Sequence, residues 1–202
     1  MNGLNRRTVI IHGIGLSDED IAAMLLQGCG IVWCPASNLY LFGKTAPVEK
    51  MIGKMPIALG SDSTLTGSIS LFDEMRVAQK VKQLASRCVV DLVTSSAAKM
   101  LRLNKGEIRR DASADFLMFQ ANNHDPFETS ICLLAKDIWC LWKNGEPIYG
   151  DIELANLTID RRSFTRIVTE GREKFLTGNF PRLVEMIKRS APGLDLPQIL
   201  PK

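Results

Sequence analysis

The stretch Pro56-Ile-Ala-Leu-Gly60-Ser61-Asp62-Ser63 sets the fold of this chain, because a short apolar run ends there in a group of polar residues. Such a run, bounded by turn-forming residues, predicts a buried β-strand. The pattern occurs twice more upstream, in Thr8-Val-Ile-Ile-His12-Gly13 and in Ile31-Val-Trp-Cys34, which Pro35 ends. The sequence therefore predicts three buried strands, each followed by polar residues.

Helical patterns separate the three predicted strands. Ser17, with Asp20 three residues later, predicts the start of a helix that Gly28 ends. Further helices are predicted over Pro47–Lys54, Ile69–Leu84 and Asp91–Leu101. Strands that alternate with helices in this way predict parallel strands joined by right-handed crossovers.

The polar residues that follow the strands are predicted to meet at one rim. His12 follows the first strand, Ser37 and Asn38 lie in a predicted loop after the second, and Asp62 follows the third. Because parallel strands present their carboxyl ends at the same edge, these side chains are expected close together. In a β/α barrel that edge is the catalytic face.

The pattern changes after Gly106. Strands are predicted over Ala114–Phe119, Ile138–Trp142 and Glu146–Tyr149, and Asn144-Gly145 predicts a tight hairpin turn between the last two. The tail from Ser163 to Arg189 is predicted to be helical, with Asn179 as a cap. We therefore predict three segments: barrel units in 1–105, a small β unit in 106–151 and a helical tail in 152–202.

Composition limits the classes of protein to consider. The net charge of +3 is small and spread along the chain, which argues against a nucleic-acid partner. No apolar run approaches the roughly 20 residues that span a bilayer, so no membrane role is expected. Met1–Arg7 has no apolar signal core, and the five cysteines form no CxxC pair. These features predict a cytoplasmic protein with reduced thiols.

Three motifs in fixed order resemble the amidohydrolase superfamily, specifically its cytosine deaminase and chlorohydrolase-like branch. They are Val9-Ile-Ile-His12-Gly13 with Leu16-Ser-Asp-Glu19, then Trp33-Cys-Pro-Ala-Ser-Asn38, then Ala58-Leu-Gly-Ser-Asp62-Ser63 with Leu71-Phe-Asp-Glu-Met-Arg76. Family members place them on barrel strands six, seven and eight. Ala114-Asp-Phe-Leu and Lys143-Asn-Gly-Glu-Pro147 resemble the family's β-rich domain. The resemblance implies an α/β fold: the last three βα units of a TIM-type barrel, a small antiparallel β unit and a helical tail.

The resemblance also assigns roles to site residues. It implies that Asp62 binds a divalent metal ion and acts as a general base, and that His12 is the second catalytic group. Zinc is the first expectation for the metal, with iron or manganese as alternatives. Ser37 and Asn38 match a loop that shapes the pocket, and no chemistry is assigned to them. The expected reaction is hydrolysis of a non-peptide carbon–nitrogen bond in a small nitrogen heterocycle, as in a deaminase.

The chain carries only part of the family's metal site. The family takes further ligands from an HxH pair on the first strand and a histidine on the fifth, whereas His12 and His124 are the only histidines here. A catalytic zinc site usually needs about three protein ligands. The chain is therefore predicted to be a C-terminal half that needs an N-terminal-half partner chain or a homo-oligomer. The alternatives are an obligate subunit of a split enzyme and a non-catalytic remnant.

Simpler interpretations stay open for the same residues. Asp62 also suits a turn that caps a helix, and His12 also suits a strand end where a backbone carbonyl satisfies its ring. His124 is predicted to lie in a surface loop, and Cys34 to be a small buried side chain. Four basic residues are predicted to form a solvated helix face: Arg161, Arg162, Arg166 and Arg172.

Overall fold

The computed structural model describes residues 3–121, 125–158 and 164–193, which form two compact units with a β-sheet each. The first unit contains the described residues up to Arg109 together with Asp125–Cys132, and the second contains the rest. His124, Arg161 and Arg162 lie outside the described residues.

The sheet of the first unit consists of three parallel strands: β1 (Val9–Ile11), β2 (Gly30–Trp33) and β3 (Ile57–Leu59). They lie in the order β1-β2-β3, with Ile10 opposite Ile31 and Val32 opposite Ala58. The three predicted strands and their parallel pairing are confirmed. Both β1 and β3 are edge strands of this sheet in the described part of the chain.

The described part of the first unit contains six α-helices: α1 (Asp18–Gln27), α2 (Pro35–Phe42), α3 (Leu71–Lys82), α4 (Ser86–Val93), α5 (Ser95–Leu101) and α6 (Pro126–Cys132). The start of α1 is confirmed, because Ser17 and Asp20 form a reciprocal capping box. Its end is confirmed as well, since Gly28 has a left-handed φ of 67°. No helix in the described ranges has the length and apolar character that a bilayer crossing demands.

Three local predictions differ from the structure. The helix predicted over Asp91–Leu101 is two helices, α4 and α5, separated at Thr94, whose φ and ψ of −121° and −99° are not helical. The helix predicted over Pro47–Lys54 is a single 3₁₀ turn, Val48–Lys50. Ser37 and Asn38 lie in α2 and not in a loop, because Pro35 at the first helical position presets the helical φ.

The core of the first unit lies between its sheet and its helices. The fully buried side chains include Ile31, Trp33 and Ile57 from the strands and Met24 from α1. The prediction that β1 is buried is wrong in part: Val9 and Ile11 are 38% and 59% exposed, and only Ile10 packs against the core. Successive side chains of a strand alternate between its two faces, so Val9 and Ile11 project from the face opposite to Ile10, away from this core.

The second unit is built on a five-stranded antiparallel sheet of order β4-β5-β6-β8-β7. Its elements are β4 (Phe116–Phe119), β5 (Ile138–Lys143), β6 (Glu146–Asp151), α7 (Ile152–Thr158), β7 (Phe164–Thr169), β8 (Arg172–Thr177) and α8 (Phe180–Ser190). Asn144 and Gly145 join β5 to β6 with φ values of 52° and 82°. The predicted hairpin and its turn are confirmed.

The predicted helical tail from Ser163 to Arg189 is wrong over its first half. β7 and β8 form a hairpin whose turn residues, Glu170 and Gly171, have φ values of 49° and 80°. Helix follows only in α8, which Asn179 caps as predicted, by accepting from the backbone N–H of Arg182. Arg166 and Arg172 therefore lie on strands and not on a helix face. The division into 1–105, 106–151 and 152–202 stays a prediction.

Candidate active site

Two strand ends of the first unit carry side chains on left-handed backbone. His12 follows β1 with φ of 70°, and Asp62 follows β3 with φ of 56°. This region is unfavourable for residues other than glycine, although aspartate, asparagine and histidine adopt it more often than most. Residues held in such conformations are concentrated at functional sites. Both strained residues are the ones that the sequence predicts to be catalytic.

The structure brings the two side chains together. His12 Nε2 lies 3.9 Å from Asp62 Oδ2, and the two side chains are 36% and 32% exposed. This distance is too long for a direct hydrogen bond, which needs about 3 Å. The two groups therefore face each other across a narrow, accessible gap at the carboxyl ends of the strands.

A buried amide orients the His12 ring. Asn38, which is fully buried, has its Oδ1 atom 2.9 Å from His12 Nδ1. Its Nδ2 atom donates to Thr45 Oγ1 at 3.1 Å and lies 3.5 Å from the His12 carbonyl oxygen. Because the amide NH₂ group is directed to these acceptors, Oδ1 must accept, so in the neutral ring the proton resides on Nδ1. Nε2 then presents a lone pair towards the Asp62 side of the gap.

A buried hydroxyl holds Asp62. Ser37, which is fully buried in α2, donates from Oγ to Asp62 Oδ2 at 2.5 Å, and its Oγ lies 3.2 Å from Thr66 Oγ1. This hydrogen bond is the main cause that lowers the pKa of Asp62, with help from the Ser63 backbone N–H, His12 and Thr66, while burial opposes it. Asp62 is therefore a carboxylate at neutral pH.

Further groups support the site, and the sequence motifs do not indicate their roles. Trp33 Nε1 donates to Thr45 Oγ1 at 2.6 Å and so fixes the hydroxyl to which the Asn38 amide also donates. Glu74 in α3 is completely buried and accepts from the Ala36 backbone N–H at 2.9 Å. Trp33 and Glu74 lie within the motifs that carry the family resemblance, but the motifs assign them no role. Their partners, Thr45 and Ala36, lie 12 and 38 residues away in sequence, so local patterns do not reveal these contacts.

Cys34 is not a nucleophile in this arrangement. It is buried at the end of β2, and burial, together with the charges of Asp62 and Glu74, raises the pKa of its thiol to about 11. A thiol with so high a pKa is neutral and unreactive at physiological pH. The structure agrees with the prediction of a small buried side chain.

The donor set suits a divalent metal in kind but not in number. Asp62 offers a carboxylate and His12 an imidazole lone pair, both common ligands of zinc, iron and manganese. In the described part of the chain, no three His, Cys, Asp or Glu side chains group closely enough to hold an ion. Catalytic zinc sites use about three protein ligands. These residues therefore fit one side of a metal site.

Comparison with known proteins gives a consistent family. The 5-methylthioadenosine/S-adenosylhomocysteine deaminase of Pyrococcus horikoshii is 32% identical over 176 residues, which is 79% of this chain and 41% of that protein. The crystal structure of Helicobacter pylori aminofutalosine deaminase matches with a TM-score of 0.61 at 27% identity, over 70% of this chain and 38% of that one.

A more distant structure covers more of the chain. The zinc-bound adenosine deaminase of Xanthomonas campestris matches with a TM-score of 0.70 at 18% identity, over 92% of this chain and 42% of that one, a likeness that shows the fold alone. The chain spans about two fifths of the length of these relatives. The amidohydrolase family pattern matches residues 3–152, well over half of the chain. The chain therefore belongs to the amidohydrolase family.

Proposed function

We propose that this chain supplies the Asp62 and His12 side of an active site that hydrolyses a non-peptide carbon–nitrogen bond. The observation that carries the proposal is the gap of 3.9 Å between His12 Nε2 and Asp62 Oδ2 at the end of a parallel sheet. The substrate class we propose is an aminated nitrogen heterocycle such as a purine nucleoside. It is supported by the deaminase names of the relatives from Pyrococcus horikoshii and Helicobacter pylori.

The two residues have complementary roles in this proposal. Asp62, kept ionised by Ser37, accepts a proton from the attacking water and passes it to the departing nitrogen, which leaves as ammonia. His12, whose Nδ1 donates to Asn38, accepts a hydrogen bond at Nε2 and so orients the water or a substrate N–H. Ser37 and Asn38 thus act by fixing the protonation and orientation of the catalytic pair.

A divalent metal completes the proposed chemistry. When bound, it lowers the pKa of water so that a nucleophile is available near neutral pH. Asp62 is the proposed ligand from this chain, and zinc is the first candidate, with iron or manganese as alternatives. The remaining ligands are proposed to come from outside the described residues, because these residues hold no group of three ligands.

The proposed source of those ligands is a separate chain that carries the N-terminal half of the barrel, or a further copy of this chain in a homo-oligomer. We interpret the three βα units as the last three of a TIM-type barrel, which cannot close without further strands. The strand β1 supports this proposal, because it lies at the sheet edge with Val9 and Ile11 exposed. An open apolar edge is a template for pairing with another strand.

A reconstitution experiment tests this function. The chain is co-expressed with the part of the Pyrococcus horikoshii deaminase that it does not match, and metal content and ammonia release from 5-methylthioadenosine are measured. We expect about one equivalent of metal and measurable turnover in the pair, and little of either in the chain alone. Metal-free, inactive complexes that nevertheless form stably would favour a non-catalytic partner role.

The key variant is Asp62→Asn. Asparagine tolerates the left-handed φ of 56° at this position, so loss of function is not caused by backbone strain, as it would be in an alanine variant. We expect loss of bound metal and a fall in turnover of at least about a hundred-fold. Asp111→Asn is the matched control, because Asp111 is exposed and has a φ of 63°. Equal activity in both variants would contradict the role of Asp62.

A further inference from the structure

The helix α2 carries the two residues that hold the catalytic pair, yet its own sequence does not cap it. Cys34 at the N-cap position makes no side-chain hydrogen bond to the helix, and Pro35 at the first position has no N–H. By contrast, Ser17 caps α1 and Ser70 caps α3 from within the chain segment. The first backbone donor of α2 is therefore the N–H of Ala36, and it needs an acceptor from elsewhere.

Glu74 is that acceptor. It lies in the first turns of α3, is completely buried, and takes the Ala36 N–H on Oε1 at 2.9 Å. A carboxylate at a helix N-terminus also interacts favourably with the helix dipole. The α3 helix therefore caps α2 across 38 residues of sequence.

Stability alone does not account for this carboxylate. Burial of a carboxylate costs free energy unless hydrogen bonds compensate, and Oε2 has no hydrogen-bond partner among the described residues. What the glutamate adds is a fixed position for the first turn of α2.

That turn leads directly to the site. Ala36 is followed by Ser37, which donates to Asp62 at 2.5 Å, and by Asn38, whose Oδ1 lies 2.9 Å from His12 Nδ1. A shift of the turn would lengthen both contacts together. We propose that Glu74 is a positioning residue: by holding the Ala36 N–H, it keeps Ser37 and Asn38 in register with Asp62 and His12. The catalytic part of this inference rests on the proposed function, whereas the structural part does not.

Three substitutions of Glu74 test separately the hydrogen-bond acceptor, the charge and the volume of its side chain. Glu74→Gln keeps an oxygen acceptor without the charge, Glu74→Met keeps the volume without an acceptor, and Glu74→Asp keeps the charge but withdraws it by one methylene. Glu19→Gln, at an exposed position of α1, is the control.

The first measurement is amide hydrogen exchange by NMR on the whole chain. We expect the Ala36 amide to exchange about ten-fold faster in Glu74→Met and in Glu74→Asp, with shifted amide signals for Ser37 and Asn38. Glu74→Gln and the control should resemble the wild type. Glu74→Asp keeps the inference testable where Glu74→Met does not fold. Wild-type exchange at Ala36 in either variant, or the same change in Glu74→Gln, would overturn the proposal.

The second measurement is kinetics in the reconstituted pair. We expect Glu74→Met to lower kcat by about 10- to 100-fold, as for other residues that orient catalytic groups, with KM within about three-fold of wild type. Glu74→Gln should restore kcat to within about three-fold. A change in KM alone would overturn the positioning role. If the wild-type pair is inactive, the proposed function fails, while the exchange pattern still decides the role of Glu74.

Discussion

Among the residues that the structure describes, each of the two units buries one charged side chain completely, but the two side chains have different partners. Lys174 in the second unit donates from Nζ to the Asp151 carboxylate and to the Ile138 carbonyl at 2.7 Å. Glu74 in the first unit accepts one backbone N–H, and its Oε2 atom has no partner in the described residues. The charge of Lys174 is balanced by the Asp151 carboxylate within the sheet, whereas Glu74 faces the N-terminus of α2 beside the site. Burial alone therefore does not distinguish a structural charge from a functional one, while the partners do.

The largest effect is expected from Lys174→Met. The substitution keeps the apolar stem but removes the ammonium group that lies between Asp151 and Ile138. Removal of one partner of a fully buried ion pair typically costs about 3–5 kcal/mol. Asp151 is 33% exposed, so water compensates part of its charge, and we expect a fall of about 2–3 kcal/mol in the free energy of unfolding of the second unit. Hydrogen exchange with mass spectrometry, read on the β6 and β8 peptides, measures it.

The matched control is Lys188→Met, because Lys188 is exposed on α8 and its loss should change stability by less than about 0.5 kcal/mol. In addition, Asp151→Leu combined with Lys174→Met should recover much of the loss, since no uncompensated carboxylate remains. If Lys174→Met proves as harmless as the control, the contrast between the two buried charges is wrong.

The next effect is expected in the loop that carries Asp62. A Cβ atom on Gly67 would lie 1.9 Å from the Ser61 carbonyl oxygen, which is backbone and cannot rotate away. Gly67→Ala should therefore displace the loop and cost about 1–3 kcal/mol, the usual range for overpacking. The loop also holds Thr66, which contacts Ser37. Thermal unfolding gives the stability change, and NMR signals of Ser61–Gly67 report the displacement.

Gly15→Ala is the control for Gly67→Ala. A Cβ atom at Gly15 meets nothing within 4 Å, so alanine should be neutral or slightly stabilising. Comparable losses in the two alanine variants would show that the close approach of Gly67 to Ser61 is not a constraint in solution.

The rim of the sheet could be predicted from sequence because it depends on local patterns. Apolar runs mark β1, β2 and β3, and polar residues mark their ends, so the sequence predicts that His12 and Asp62 lie together, as they do. The same locality explains the correct Asn144-Gly145 turn. What the runs could not show is that the core covers only one face of β1, and the exposure of Ile11 follows from its place on the other face.

The errors come from features that depend on distant contacts. The residue spacing of the tail predicts a helix, yet Phe164 and Phe175 pack into the core of the second unit and stabilise a hairpin there. Tertiary packing commonly overrides weak local preference. The roles of Glu74 and Thr45 are not predicted for a similar reason, since the fold brings each of them to the residue that it contacts.

The smallest expected effect concerns helix caps that are local, in contrast to the cap that Glu74 provides. Ser17 caps α1 in the first unit, and Asn179 caps α8 in the second. In each cap, the side-chain oxygen accepts a hydrogen bond from the backbone N–H three residues later. Ser17→Ala and Asn179→Ala should each cost about 1 kcal/mol. Such a loss corresponds to roughly five-fold faster exchange in the first turn of the affected helix.

Because neither cap contacts His12 or Asp62, both variants should keep the wild-type exchange at Ala36 and the wild-type kcat of the reconstituted pair. Ser17→Ala is the sharper of the two, since α1 belongs to the same unit as the site and loses its N-terminal cap while the cap that α2 receives from Glu74 is unchanged. A loss of kcat in Ser17→Ala as large as in Glu74→Met would mean that any weakened helix of this unit disturbs the site. In that case the glutamate would have no special position.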